Sequence, residues 1–162
     1  TLLRMIAGHL GPNEGSVART VNGVEIEKEK LFEQVALAAP YLDVYSDLSP
    51  LETIKYQASF KPFVKNISPQ EMLEALGIGF AASKTVKDLS SGMKQRLLLA
   101  LAIFADTDLL LLDEPTSNLD EKGVQLYTNA ISHVSEHRSI IVCSNDPERE
   151  AKFCNDHLTL SP

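Results

Sequence analysis

The sequence has 162 residues, 44% hydrophobic and 23% charged, which is enough apolar material for one domain with a single core. Its formal net charge of −7 argues against a nucleic-acid partner, because nucleic-acid-binding surfaces are basic. The longest apolar runs, 97–105 and 109–112, are much shorter than the roughly 18 residues of a membrane span, so we expect a soluble domain.

Hydrophobic periodicity predicts an α/β domain with a helical segment in its middle. In chain order we predict a helix at 1–7, a hairpin around Asn22-Gly23, a strand at 35–39, helices between 49 and 79, a helix at 90–104, a strand at 109–112, a helix at 120–136, a strand at 139–143, a helix at 147–153 and a strand at 157–160. Because apolar strands alternate with helices in the second half, we expect a mostly parallel sheet with helices on both faces.

Two adjacent carboxylates, Asp113 and Glu114, follow the apolar run 109–112. Parallel sheets bind ligands at the carboxyl ends of their strands, and neighbouring side chains on a strand point to opposite sides. Asp113 is therefore a candidate for organising Mg²⁺, and Glu114 for polarising the water that attacks a γ-phosphate. The alternative is a buried strand that ends in an acidic turn.

Two further segments carry polar groups at predicted helix starts. Ser90-Ser91-Gly92-Met93 would present a hydroxyl, free backbone N–H groups and the positive end of a helix dipole, which suit an anionic phosphate. Residues 116–120 follow the acidic pair, and Asp120 stands where it would cap the next helix. Taken separately, each segment is also compatible with an ordinary capped helix.

In this order and spacing, the segments resemble three motifs of the ABC ATPases: 89–93 the signature motif, 109–114 the Walker B strand with its catalytic glutamate, and 117–120 the D-loop. Residues 1–8 resemble the helix that follows the phosphate loop. The resemblance implies a P-loop NTPase fold of the ABC ATPase type, with a helical insert at about 50–88. It also implies one partial ABC domain at 1–162, with a core subdomain at 1–48 and 89–162 and a helical subdomain at 49–88.

The resemblance also implies the residues of a site for ATP and Mg²⁺. Glu114 would be catalytic, and Asp113 and Thr1 would serve the metal. The nucleotide-binding residues would be Thr1, Ser90, Ser91, Gly92, Met93, Asp120 and Asn145.

The sequence departs from the family pattern in four respects. Only Thr1 could belong to the phosphate loop, so we interpret the sequence as lacking that loop and the N-terminal strands, and expect this stretch alone to bind ATP weakly. Asn145 stands where the family has a histidine, and an amide cannot carry a proton as imidazole can. Pro40 stands near the expected glutamine. Ser91 and Met93 replace the favoured Gly and Gln of the signature motif.

The function implied is that of the ATP-binding subunit of an ABC transporter. Two such domains would pair head to tail, so that Ser91 and Gly92 serve the partner's ATP, and a transmembrane permease subunit would place the pair at the cytoplasmic face of the cell membrane. Having only two cysteines is typical of a reducing compartment. Two alternatives stay open: a slow or regulatory ATP-binding module, favoured by Asn145 and Pro40, and a soluble ABC ATPase outside transport.

Overall fold

A computed structural model describes residues 1–21, 23–27, 30–134 and 138–159. These residues fold around a parallel sheet. The helices are α1 (Leu2–Ile6), α2 (Leu31–Gln34), α3 (Pro50–Ala58), α4 (Pro69–Ala75), α5 (Ser91–Ile103), α6 (Glu121–Ser132) and α7 (Pro147–Glu150). The strands are β1 (Thr20–Val21), β2 (Val24–Glu25), β3 (Val35–Ala38), β4 (Leu109–Asp113) and β5 (Ser139–Cys143). No helix in the described ranges is both long and apolar enough to cross a membrane.

Strands β3, β4 and β5 form a three-stranded parallel sheet in that order, with β4 at its centre. Leu111 of β4 packs with Leu3 of α1 and Leu31 of α2 on one face. On the opposite face, Leu110 and Leu112 pack into the larger core that includes α5 and α6. Side chains that alternate between two covered faces explain why β4 is an unbroken apolar run, and they confirm the predicted sheet with helices on both sides.

The middle of the chain forms the predicted helices α3 and α4. Each begins with a serine whose side chain accepts a hydrogen bond from a backbone N–H three residues on, where a glutamate bonds back to the serine's own N–H. Pro50 and Pro69 occupy first helical turns, where the missing N–H has no cost. Fully buried residues of both helices, Ile54, Met72 and Leu73, join the core around α5. The division at 49–88 stays a prediction.

Three predictions near the C-terminus are wrong: the ends of two helices and one strand. Helix α6 ends at Ser132, although its predicted last residues at 135–136 lie outside the described ranges. Helix α7 ends at Glu150 rather than at 153, because Ala151 leaves the helical conformation at φ −133°.

The strand predicted at 157–160 is the third error: residues 157–159 belong to no strand, and Leu160 lies outside the described ranges. Leu158 is 82% exposed. A strand is stable only when a neighbour supplies hydrogen bonds and covers its apolar side chains, and residues 157–159 pair with no described strand.

Candidate nucleotide site

Asp113 ends β4 beside β5, where its backbone is in register with Cys143. Burial raises the pKa of the Cys143 thiol, and the Asp113 carboxylate raises it further. Burial, and to a smaller extent the charge of Asp113, likewise raises the pKa of Tyr41. Asp113 therefore lies beside this thiol, at the carboxyl edge of the sheet. Thr1 itself is exposed and precedes α1 without a side-chain capping bond.

Glu114 leaves the strand in a left-handed backbone conformation, with φ 43°. This conformation costs a non-glycine residue about 1–2 kcal/mol, and strained residues of this kind cluster at functional sites. Its backbone N–H donates to the carbonyl of Cys143 at 2.9 Å. Its carboxylate accepts hydrogen bonds from the Ser117 hydroxyl and from the Asn145 amide, each at 3.4 Å. Glu114 is therefore oriented by two neutral donors on two different loops.

The first turn of α5 is set by Ser90, whose hydroxyl oxygen accepts a hydrogen bond from the Met93 N–H at 3.3 Å. Ser91 is the first helical residue and is exposed, and the first turn carries no acidic side chain. The helix is 13 residues long, so its N-terminus carries a full dipole and free N–H groups. The structure therefore confirms a helix start at Ser91 capped by Ser90, and the binding of a phosphate there stays a prediction.

Gly92 lies directly against the loop that follows Glu114. A β-carbon built on Gly92 would lie 2.8 Å from the backbone carbonyl oxygen of Asn118, which itself has φ 62°. The absence of a side chain at this helical position therefore allows the start of α5 to touch the loop 114–120.

Gly92→Ala should lower the free energy of unfolding of the full-length protein by about 1–3 kcal/mol, because the new methyl group forces backbone apart. At an unobstructed helical site the same change would instead stabilise by about 0.5–1 kcal/mol. Urea unfolding measures the difference. Gly11→Ala is the matched control, since a β-carbon there meets no atom within 4 Å. A Gly92→Ala protein more stable than wild type would contradict the close contact.

Asp120 caps α6, as the plainer of the two sequence interpretations expects. Its carboxylate accepts a hydrogen bond from the Gly123 N–H at 2.9 Å and pairs with Arg96 of α5 at 2.5 Å. The hydrogen bond from the Gly123 N–H, and to a smaller extent the positive charge of Arg96, holds the pKa of Asp120 below its usual value. Its nucleotide role therefore stays a prediction, while its contacts within the chain join α5 to α6.

The predicted residues fall into two groups joined by the loop 114–120. Asp113, Glu114 and Asn145 lie at the sheet edge, whereas Ser90–Met93 and Asp120 surround the start of α5. The metal role of Thr1, which precedes α1, stays a prediction. Pro40 lies in an exposed turn and offers no polar side chain.

Within the described ranges, no group of three or more His, Cys, Asp or Glu side chains could hold a metal. One carboxylate fits Mg²⁺ bound together with a nucleotide, because the ion then takes most of its ligands from phosphate and water.

Two residues of this region were not singled out from the sequence: Gln95 and Glu150. The side chain of Gln95 is buried and donates to the Pro115 carbonyl at 3.0 Å. Gln95 has no distinctive signal in the sequence, because it lies between Lys94 and Arg96 in the polar first half of α5. Glu150 has no such signal, because it lies in a run of charged residues.

Comparisons with known proteins give one consistent result. A family model described as "ABC transporter" matches residues 1–117. The "Uncharacterized ABC transporter ATP-binding protein YybJ" of Bacillus subtilis is 34% identical over 168 residues, covering 99% of this chain and 73% of YybJ. The "Bacitracin transport ATP-binding protein BcrA" of Bacillus licheniformis is 28% identical, covering 88% of this chain and 46% of BcrA. The chain thus spans less than half of BcrA.

A solved structure extends the comparison to the fold. The ATP-binding cassette MJ0796, in a dimeric post-hydrolysis state bound to ADP and Pi, has a TM-score of 0.73 with this chain. The match covers 91% of this chain and 70% of the cassette at 20% sequence identity, so it bears on the fold alone. It confirms the predicted fold class, an α/β P-loop NTPase of the ABC ATPase type. The chain belongs to the ABC transporter family, as an ATP-binding domain.

Proposed function

We propose that this chain provides the catalytic and signature segments of an ABC transporter ATPase, which couples binding and hydrolysis of MgATP to transport by a membrane partner. The observation that carries the proposal is the Glu114 carboxylate at the carboxyl edge of the parallel sheet, held by Ser117 and Asn145. We further propose that a phosphate loop with its lysine precedes Thr1 in the full-length protein.

In this proposal Glu114 accepts a hydrogen bond from a water molecule and orients it toward the γ-phosphorus. The water forms a new P–O bond as the bond from the γ-phosphorus to the bridging oxygen breaks, which releases ADP and phosphate. Asp113 and the Thr1 hydroxyl would hold Mg²⁺, which when bound offsets the negative charge of the phosphate oxygens. The Asn145 amide donates toward Glu114 and, in the nucleotide-bound site, toward the γ-phosphate.

The start of α5 acts in the second half of the site. Ser91 is exposed and makes no hydrogen bond to another described side chain, whereas Ser90 is occupied as the helix cap. We propose that Ser91 and the N–H group of Gly92 bind the ATP held by a second copy of the domain, near that copy's Asp120. A permease subunit would then bring the pair to the cytoplasmic face of the membrane. The dimeric state of MJ0796 supports pairing.

Purified full-length protein tests this proposal directly. We expect phosphate release that requires both ATP and Mg²⁺, together with a doubling of mass by light scattering when MgATP is added. A protein that neither binds nor hydrolyses MgATP would contradict the proposal.

A slow or regulatory ATP-binding module is the second candidate, because Asn145 cannot carry a proton and the exposed Pro40 offers no ligand. If the missing imidazole limits turnover, Asn145→His should raise kcat by about 10²-fold or more, the low end of the range for a positioned acid or base. Phosphate release under saturating MgATP measures it, and Asn145→Gln, which keeps the amide, is the control. An unchanged kcat in Asn145→His would show that the amide is sufficient.

A further inference from the structure

The turn that positions Glu114 centres on Thr116. The N–H of Ser117 donates to the carbonyl of Glu114 at 3.0 Å, and the N–H of Leu119 donates to the carbonyl of Thr116 at 3.0 Å. Thr116 therefore belongs to two overlapping turns, the first of which begins at Glu114. Pro115 fixes its own φ and has no N–H, so the next N–H available to anchor the turn from outside is that of Thr116.

Glu150 supplies that anchor from α7. One of its carboxylate oxygens, Oε1, accepts a hydrogen bond from the Thr116 N–H at 3.0 Å and another from the Thr116 hydroxyl at 2.7 Å. Glu150 is only 4% exposed and Thr116 only 7%. A carboxylate buried in this way takes the place of water for both donors, and it joins two segments that are 34 residues apart.

Glu150 is itself held on two sides. Its carbonyl accepts a hydrogen bond from the hydroxyl of Tyr127, a residue with no exposed surface, at 2.9 Å. Its N–H donates to the carbonyl of Asp146 at 3.1 Å, one residue after Asn145. The same residue thus contacts the turn after Glu114 and the backbone next to Asn145, whose amide reaches the Glu114 carboxylate.

The second carboxylate oxygen of Glu150 stands apart. Oε2 is buried and has no hydrogen-bond partner among the described residues. An unpaired buried polar atom is unfavourable for folding, and such atoms are retained mainly where they serve a purpose other than stability. If Thr116 donated its hydrogen bonds to an acceptor at the surface, the same turn would close without a buried carboxyl group.

We propose that Glu150 is a positioning residue for ATP hydrolysis: by bonding Thr116 it fixes the turn that aims Glu114, and it ties that turn to the loop of Asn145. The inference rests on the proposed function. It assigns Glu150 no contact with nucleotide or metal, so its effect should be confined to the orientation of Glu114.

Steady-state kinetics of full-length Glu150→Ala test the inference. We expect kcat for MgATP hydrolysis to fall about 10–100-fold, because small misplacements of a catalytic group have effects of this size, while KM for MgATP stays unchanged. Glu150→Gln should return kcat toward wild type, because its single amide oxygen can accept both Thr116 bonds. Glu148→Ala, an exposed acid on the same helix, is the matched control and should behave as wild type.

Hydrogen exchange provides a readout independent of activity. The amides of residues 114 and 116–119 should exchange faster in Glu150→Ala and not in Glu148→Ala. If Glu150→Ala fails to fold, Thr116→Val takes its place; it removes only the hydroxyl donor and should give a smaller fall in kcat.

The outcomes separate the two proposals. Wild-type kcat and exchange in the Glu150 and Thr116 variants, with hydrolysis still lost in Glu114→Gln, would overturn the positioning role alone. A wild-type protein inactive toward MgATP would overturn the proposed function, and the exchange rates would then decide whether Glu150 holds the turn.

Discussion

Replacing Glu114 by glutamine should reduce kcat for MgATP hydrolysis by about 10²–10⁴-fold, the usual contribution of a positioned general base. The amide keeps the size of the side chain and the backbone bond to Cys143, so the left-handed turn should survive. Only the negative charge that orients the water is lost. Affinity for MgATP should stay within a few-fold of wild type, because Asp113 and the signature segment are unchanged.

Phosphate release and equilibrium titration with MgATP measure the two parts of this prediction separately. Glu14→Gln, at an exposed acid in the turn before β1, is the control and should match wild type in both assays. Hydrolysis that continues at the wild-type rate in Glu114→Gln would show that another group orients the water. A loss of binding equal to the loss of rate would instead assign Glu114 to the nucleotide contact.

Ser91→Glu should abolish hydrolysis without lowering stability. Ser91 is the exposed first residue of α5, and an acidic side chain in a helix's first turn stabilises it by about 0.3–1 kcal/mol. The same carboxylate would lie where we place the phosphates of the partner's ATP, and like charges repel. Stability and activity should therefore move in opposite directions.

Thermal unfolding and phosphate release of the full-length protein test this pair of effects. Ser91→Gln, which has a similar size and no charge, should lose far less activity than Ser91→Glu. Full activity in Ser91→Glu would exclude this helix start from the nucleotide site. A large fall in melting temperature would show that Ser91 has a structural role that its exposure does not reveal.

The sequence predicted well those features that depend on local chemistry. The unbroken apolar run of β4 indicated a strand covered on both faces, and the serines before Pro50 and Pro69 indicated helix starts, because capping needs only neighbouring residues. The order of the motifs around Ser90 and Glu114 was enough to identify the family and its fold.

Features that depend on distant contacts could not be predicted. The left-handed backbone of Glu114 is imposed by its bond to Cys143, 29 positions further on, and by the turn at Thr116. In the sequence, Glu150 is one of several charged residues at 146–150. Only the position of α7 in the fold shows that it is buried against Thr116. The strand expected at 157–160 failed for the same reason, since a strand requires a neighbour that no local pattern reveals.

Mixing two inactive proteins tests the central claim most directly: Glu114 acts on the ATP of its own chain, while Ser91 acts on that of a second copy. In a mixed pair of Glu114→Gln and Ser91→Glu chains, one site combines both substitutions and the other is intact. An equal mixture should recover roughly a quarter of the wild-type rate of phosphate release, since half of the pairs are mixed and each has one intact site. Recovery no greater than the sum of the two proteins assayed alone would contradict the account, because it would place Glu114 and Ser91 in the same chain's site.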